Sequence, residues 1–355
     1  MTVRVAFIGA GRMATSHVAS LAALPEAEVV AMADVDPGAV DRVPENAASE
    51  MARRSLQGEV PKPVGYTDYT AMLDKEKPDA VYVVVPPAVR GEVELDLVRR
   101  GLPLLVEKPL ALQLPIAGQI LREIRERNVI AGSGYLYRYA SWARRAKELI
   151  GDRTIGQVTG NRFARYRPQT DWYNLMSTGG GQLTETATHQ VDLLLHLAGP
   201  VRTVFATGAS RRAGQWGEDD IFDVQSVVLR FESGAVGGFT CNLLSPHRHR
   251  WEVRVDCEGF SLRFGVSNVI NVVDDEGESE EPMAGDPLLE ESRGFVEAVA
   301  QGRPELVLSS YESGVQTLAV TLAADRSERS GQPVDIPTFL REEAGLEQPL
   351  SASGL

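Results

Sequence analysis

The chain has 355 residues, 43% of them hydrophobic and 24% charged, with a formal net charge of −13. That is the makeup of a globular protein long enough for two domains, and so acidic a balance excludes nucleic acid as a main partner and disfavours an anionic membrane surface. No apolar run approaches the length of a bilayer span and no leader pattern precedes the first strand, so a cytoplasmic protein is expected.

Val3 to Ile8 is a short apolar run rich in β-branched residues, and Arg12 to Leu24 follows with apolar positions at helical spacing. The turn between them holds Gly9, Gly11 and Ala14. Gly9 can take the tight-turn backbone, Gly11 lets the main chain approach a pyrophosphate, and Ala14 lets the helix pack closely on the strand. Gly9, Gly11, Arg12 and Met13 are therefore candidate cofactor contacts, with the N–H groups of the helix start facing the negative charge. Short glycine turns are common, and Asp34 is what distinguishes this one: it closes a second strand, Glu28 to Ala33, 23 residues after Gly11. A carboxylate there accepts hydrogen bonds from ribose hydroxyls and repels a 2′-phosphate, and neither Val35 nor Asp36 offers a guanidinium. NAD is expected in preference to NADP. The alternative is that Asp34 only caps a turn before Pro37.

Further along come a charged helical segment from Ala47 to Gln57, a turn at Pro61 to Pro63 and a short helix around Tyr69 to Leu73. Ala80 to Val85 is a continuous apolar strand ending in Pro86 and Pro87, Gly91 to Arg100 is amphipathic, and Leu104 to Val106 is another buried strand. Apolar strands alternating with helices predict a doubly wound parallel sheet over residues 1–134. After a helix from Tyr139 to Ile150, strands follow one another: Gln157 to Tyr166, Val201 to Thr207, Asp223 to Glu232, Ala235 to Leu243, Trp251 to Cys257 and Ser261 to Phe264. This pattern predicts an α+β domain over 135–340 with an open, mostly antiparallel sheet. Cys241 and Cys257 lie in strand-like sequence and are expected to be reduced. The acid run Asp274 to Glu281 reads as a solvated loop. Helices Leu288 to Gln301 and Tyr311 to Arg329 close the fold, the later one packing back on the first domain, and 341–355 reads as a loose tail.

Two segments carry candidate chemistry. Glu107-Lys108-Pro109 follows a buried strand at its C-terminal end, the edge where open α/β sheets bind ligands. A lysine there can donate to a substrate oxygen or exchange a proton, although the triplet also suits a surface turn. The second segment is Gly179-Gly180-Gly181 and the helix after it, on which Glu185, His189, Asp192 and His196 share one stripe. The stripe has three readings: a solvated face, a metal site, or acid/base work with Glu185 one turn before His189 to orient its imidazole. Too few charges for a solvated face and histidines two turns apart favour acid/base work, without a metal.

Taken in order, Gly9-Ala10-Gly11, Asp34, Glu107-Lys108-Pro109, Tyr137-Arg138, the glycine triplet with His189 and Asp192, Phe295 to Ala298, Ser327 and Gly331 to Val334 resemble the Gfo/Idh/MocA oxidoreductases. The resemblance implies an NAD(P)-binding Rossmann domain and a substrate and oligomerisation domain, in a homodimer or homotetramer. It implies hydride transfer between nicotinamide and a secondary hydroxyl of a sugar, cyclitol or related polyol. Lys108 and His189 are then the proton-transferring pair, with Glu185 standing where the family usually has Asp. Pro86, Glu107 and Lys108 complete the expected cofactor contacts, and Arg138, Arg165, Trp172 and Tyr173 join Lys108 and His189 as expected substrate contacts. Arg90, near where many members carry His or Asn, reads as a surface residue. A glycosidase using NAD transiently, a reductase of an unsaturated or imine substrate, and a non-catalytic NAD-binding sensor are the alternatives.

Overall fold

A computed structural model describes residues 2–165, 175–212, 221–347 and 350. The chain forms two compact units: residues 1–110, 120–139 and 286–311, and residues 111–119, 140–285 and 312–355.

The first unit is built on six strands, β1 (Val3–Ile8), β2 (Ala27–Ala33), β3 (Val64–Tyr66), β4 (Ala80–Val83), β5 (Leu104–Val106) and β6 (Ala131–Ser133). They lie in the order β3-β2-β1-β4-β5-β6, all parallel. This is the doubly wound sheet expected from the sequence: β4 and β5 are buried at every position, as strands covered on both faces must be. Its helices are α1 (Arg12–Ala22), α2 (Ala39–Arg54), α3 (Tyr69–Glu76), α4 (Glu92–Arg99) and α5 (Leu114–Arg127). α2 begins well before Ala47 and runs through Pro44. Phe7 stacks on Tyr82 at 4.9 Å, and Phe295 meets Tyr82 edge-on at 5.4 Å. Phe295 comes from the late helix 287–301, which belongs to the first unit, whereas 312–330 belongs to the second.

The second unit follows α6 (Ser141–Ile150), β7 (Ile155–Phe163), α7 (Met176–Gly179), α8 (Gly181–Glu185), α9 (Thr188–Ala198), β8 (Val201–Ala209), β9 (Val224–Phe231), β10 (Val236–Asn242), β11 (Arg250–Cys257), β12 (Phe260–Gly265), β13 (Val269–Asp274) and β14 (Gly277–Pro282). After α10 (Pro287–Gln301) it resumes with α11 (Tyr311–Ser330), β15 (Val334–Asp335) and α12 (Ile336–Ala344). The sheet runs β14-β13-β12-β11-β7-β10-β9-β8-β15, antiparallel except where β7 pairs parallel with β10. α9 lies close on it. A Cβ on Gly160 of β7 would stand 3.3 Å from Leu194 of α9 and 2.9 Å from Phe239, so the missing side chain sets the approach.

Three expectations are corrected here. The acid run at 274–281 is not a loop: β14 pairs with β13 as an exposed edge strand, its carboxylates facing water and Arg145 bonded to Glu281 at 2.8 Å, as suits a strand edge that must not recruit another chain. The C-terminal segment is not loose throughout, since α12 continues to Ala344 and Leu346 and Leu350 are buried. The wheel through Glu185 and His189 is interrupted, because α8 ends at Glu185 and α9 starts at Thr188. Cys241 and Cys257 are both free thiols.

Candidate active site

In the first unit, Gly9 has φ of 100°, and a Cβ there would stand 2.3 Å from the Val84 carbonyl oxygen, so only glycine fits the turn. At Gly11 an added Cβ would meet nothing within 4 Å, which leaves open space over the start of α1. Asp34 Oδ2 accepts the Ala10 N–H at 2.8 Å and its Oδ1 accepts the Asp36 N–H at 2.9 Å, so the acid at the end of β2 is tied to the glycine turn. A cavity of about 400 Å³ opens beside them, lined by Ala10, Gly11, Arg12, Arg42, Asn46 and Glu50 among others. Met13 is half-buried and Pro86 exposed. A glycine cradle that a Cβ would fill, a free approach at Gly11 and a fixed carboxylate 23 residues on fit a dinucleotide.

At the C-terminal ends of β4 and β5 the strands feed into Arg90 and Glu107. Arg90 is only 8% exposed, which corrects its surface assignment. Its Nε and Nη2 donate to the Val85 carbonyl at 3.0 and 2.7 Å, and Nη1 donates to the carbonyls of Glu107 and Pro109, on either side of Lys108. Glu94 is buried as well, its Oε2 accepting the Gly91 N–H at 2.7 Å. Burial pushes its pKa up, against the pull of the Arg90 charge. Glu107 is buried: Oε1 lies 2.9 Å from Nε2 of the fully buried His17, and Oε2 accepts the Lys108 N–H at 2.9 Å. A Cβ on Gly134 would crowd this carboxyl at 2.9 Å. Glu107 is thus enclosed by protein and holds the Lys108 backbone. From Leu104 to Leu110, Lys108 is the single residue that is not buried.

Sequence reasoning missed His17 and the role of Arg90. His17 sits at a core-facing position of α1, and the partners of Arg90 are backbone carbonyls, which leave no trace in a side-chain pattern.

In the second unit, Gly180 and Gly181 have φ of 75° and 81°, and a Cβ on either would come within 2.8 Å of Leu112 or Met176. The glycines turn the chain from α7 into α8. Glu185, Asp192 and His196 are all buried, and Asp192 Oδ1 accepts the Thr317 hydroxyl at 2.8 Å. The polar stripe is therefore interior, which removes the solvated-face reading. Of the eleven residues of α9, His189 alone is not buried. Lys108 belongs to the first unit and His189 to the second.

The other expected substrate residues fare differently. Arg138 is fully buried and donates to the Leu308 carbonyl at 3.4 Å. Arg165 is exposed and bridges to Leu244. Trp172 and Tyr173 lie outside the described residues.

Residues 3–135 match the family described as "Oxidoreductase family, NAD-binding Rossmann fold", and 143–263 match the Gfo/Idh/MocA C-terminal domain. The chain belongs to the Gfo/Idh/MocA oxidoreductases. It is 25% identical to a myo-inositol 2-dehydrogenase of Thermotoga maritima over 337 residues, 92% of this chain and 96% of that one. It is 24% identical to the scyllo-inositol 2-dehydrogenase (NAD(+)) of Bacillus subtilis over 350 residues, 94% of this chain and 96% of the relative. Its fold is that of the WlbA dehydrogenase of Bordetella pertussis, solved with NADH and UDP-GlcNAcA, at a TM-score of 0.76 and 23% identity over 95% of this chain and 99% of that one. This Gfo/Idh/MocA member has no helix, among its described residues, that is long and apolar enough to cross a membrane.

Proposed function

We propose that the protein is an NAD-dependent dehydrogenase acting on a secondary hydroxyl of a sugar, cyclitol or related polyol, with NAD preferred to NADP. The observation that carries the assignment of residues is one of exposure. Lys108 and His189 are each the one residue of an otherwise buried run that is not fully buried, and both are types that move protons. When bound, the nicotinamide supplies the acceptor or donor for the hydride exchanged with the carbinol carbon. Lys108 donates to the reacting oxygen, and His189 exchanges the proton that the hydroxyl loses as it becomes a carbonyl. Asp34 holds the adenosine ribose, and Gly9, Gly11, Arg12 and Met13 form the pyrophosphate turn. Glu185, buried at the end of α8 and four residues before His189, orients that imidazole.

The test is absorbance at 340 nm with NAD and NADP in parallel across sugars, cyclitols and sugar acids. One stereochemical class should reduce NAD. Lys108→Ala and His189→Ala should each lower turnover by about 10²-fold or more while nucleotide binding persists. Silence across the panel with cofactor bound, or variants within about threefold of wild type, refutes the assignment.

A further inference from the structure

The cavity beside the glycine turn carries a guanidinium that the residues directly after β2 do not reveal. Arg42, on the first turn of α2, lines it together with Arg12. Its Nη2 donates to Asp36 Oδ2 at 2.6 Å, while Asp36 Oδ1 accepts the Gly38 N–H at 2.9 Å. The two side chains are about half-exposed, at 62% and 54%, so this pair lies on the rim and not in the core. Asp36 is joined to the ribose-end carboxylate itself, since its N–H donates to Asp34. The Arg42 guanidinium holds the Asp36 carboxyl below the usual carboxylate range, so it is ionised at neutral pH.

In dinucleotide sites of this kind an acid at the end of the second strand reads the free 2′-hydroxyl, and a nearby arginine accommodates a 2′-phosphate. Here both devices are present, and the second is engaged. We propose that Asp36 sets the preference for NAD over NADP by occupying Arg42, which would otherwise bind the 2′-phosphate of NADP. Asp36 thereby takes up the donors that would form a forked, charge-assisted pair with that phosphate. This inference rests on the dinucleotide reading above and specifies which residues choose between its two forms.

The measurement is the dissociation constant of NAD and of NADP by intrinsic-fluorescence or calorimetric titration, which needs no substrate. Asp36→Asn keeps an oxygen for the Gly38 N–H but loses the charge that holds Arg42. It should tighten NADP by about tenfold or more and leave NAD within about threefold, and the gain should shrink at high salt. Adding Arg42→Ala to Asp36→Asn should abolish the gain. An unchanged NADP constant in Asp36→Asn overturns the proposal. So does a gain that survives Arg42→Ala, because charge removal alone would then be responsible. Wild-type protein that binds neither nucleotide overturns the dinucleotide reading itself, an outcome distinct from both.

Discussion

Replacing Arg90 by Ala removes a side chain that bonds three carbonyls around the ends of β4 and β5. Each hydrogen bond from a charged donor contributes about 1.5–3 kcal/mol net, and those around Arg90 are not additive because they share one guanidinium. Glu94 is also left buried without the nearby charge that favours its ionised form. The expected loss is therefore about 3–5 kcal/mol, and at about 2–4 °C per kcal/mol for a unit of this size the melting transition should fall by roughly 6–20 °C. The loss should depend on pH in a known direction. Burial already raises the Glu94 pKa in the fold, and without Arg90 it rises further. A raised folded-state pKa gives stability that is full below the unfolded value of 4.5 and is lost as pH rises through the folded value. Arg90→Ala should thus be closer to wild type at pH 5 than at pH 8, and Arg90→Ala with Glu94→Gln should recover part of the deficit at pH 8. Thermal melts at both pH values decide it. A loss under about 1 kcal/mol at pH 8, or a deficit indifferent to pH and to Glu94→Gln, would refute the reasoning.

Gly9→Ala puts a Cβ 2.3 Å from the Val84 carbonyl oxygen at a φ of 100°, so the turn must shift; NAD affinity followed by fluorescence should fall by at least about tenfold, and wild-type affinity would contradict the cradle. Asp325 on α11 has its pKa pushed up to about 8 by burial, with the neighbouring Glu328 adding to it and Arg329 opposing. Its proton is retained in the fold, so wild-type stability drains away as pH rises from about 4 to about 8, at about 1.36 kcal/mol per unit and to a bound of about 5 kcal/mol. Asp325→Asn should therefore gain on wild type across that window in denaturant melts, and a difference that stays flat with pH would show that Asp325 ionises normally.

The first sheet was legible because its signal is local. Apolar runs such as Ala80 to Val83 cannot be exposed on either face, and the Gly9 and Gly11 turn with Asp34 has a backbone reason at each position. What was not legible depends on tertiary burial. The residues of α9 share one amphipathic wheel in the sequence, yet the helix is covered nearly all round, so its polar stripe faces protein and not water. The break before Thr188 hides inside a run with good helical periodicity. α10 and α11 look alike in sequence, and what separates them is that Phe295 closes the aromatic core of the first unit. The edge strand β14 has no apolar alternation because it has no buried face.

The same pattern of burial supports the proposed choice of Lys108 and His189. A buried ionisable side chain must be satisfied by its neighbours, and once satisfied it serves to fix the backbone more than to react. Glu107 holds the Lys108 N–H, Arg90 holds the carbonyls on both sides of Lys108, and Asp192, three residues past His189, is held by Thr317. Each anchor has given its hydrogen bonds to protein. Lys108 and His189, each only partly buried, rise from these pinned segments, and a rigid base is what the proposed proton transfer asks of its groups.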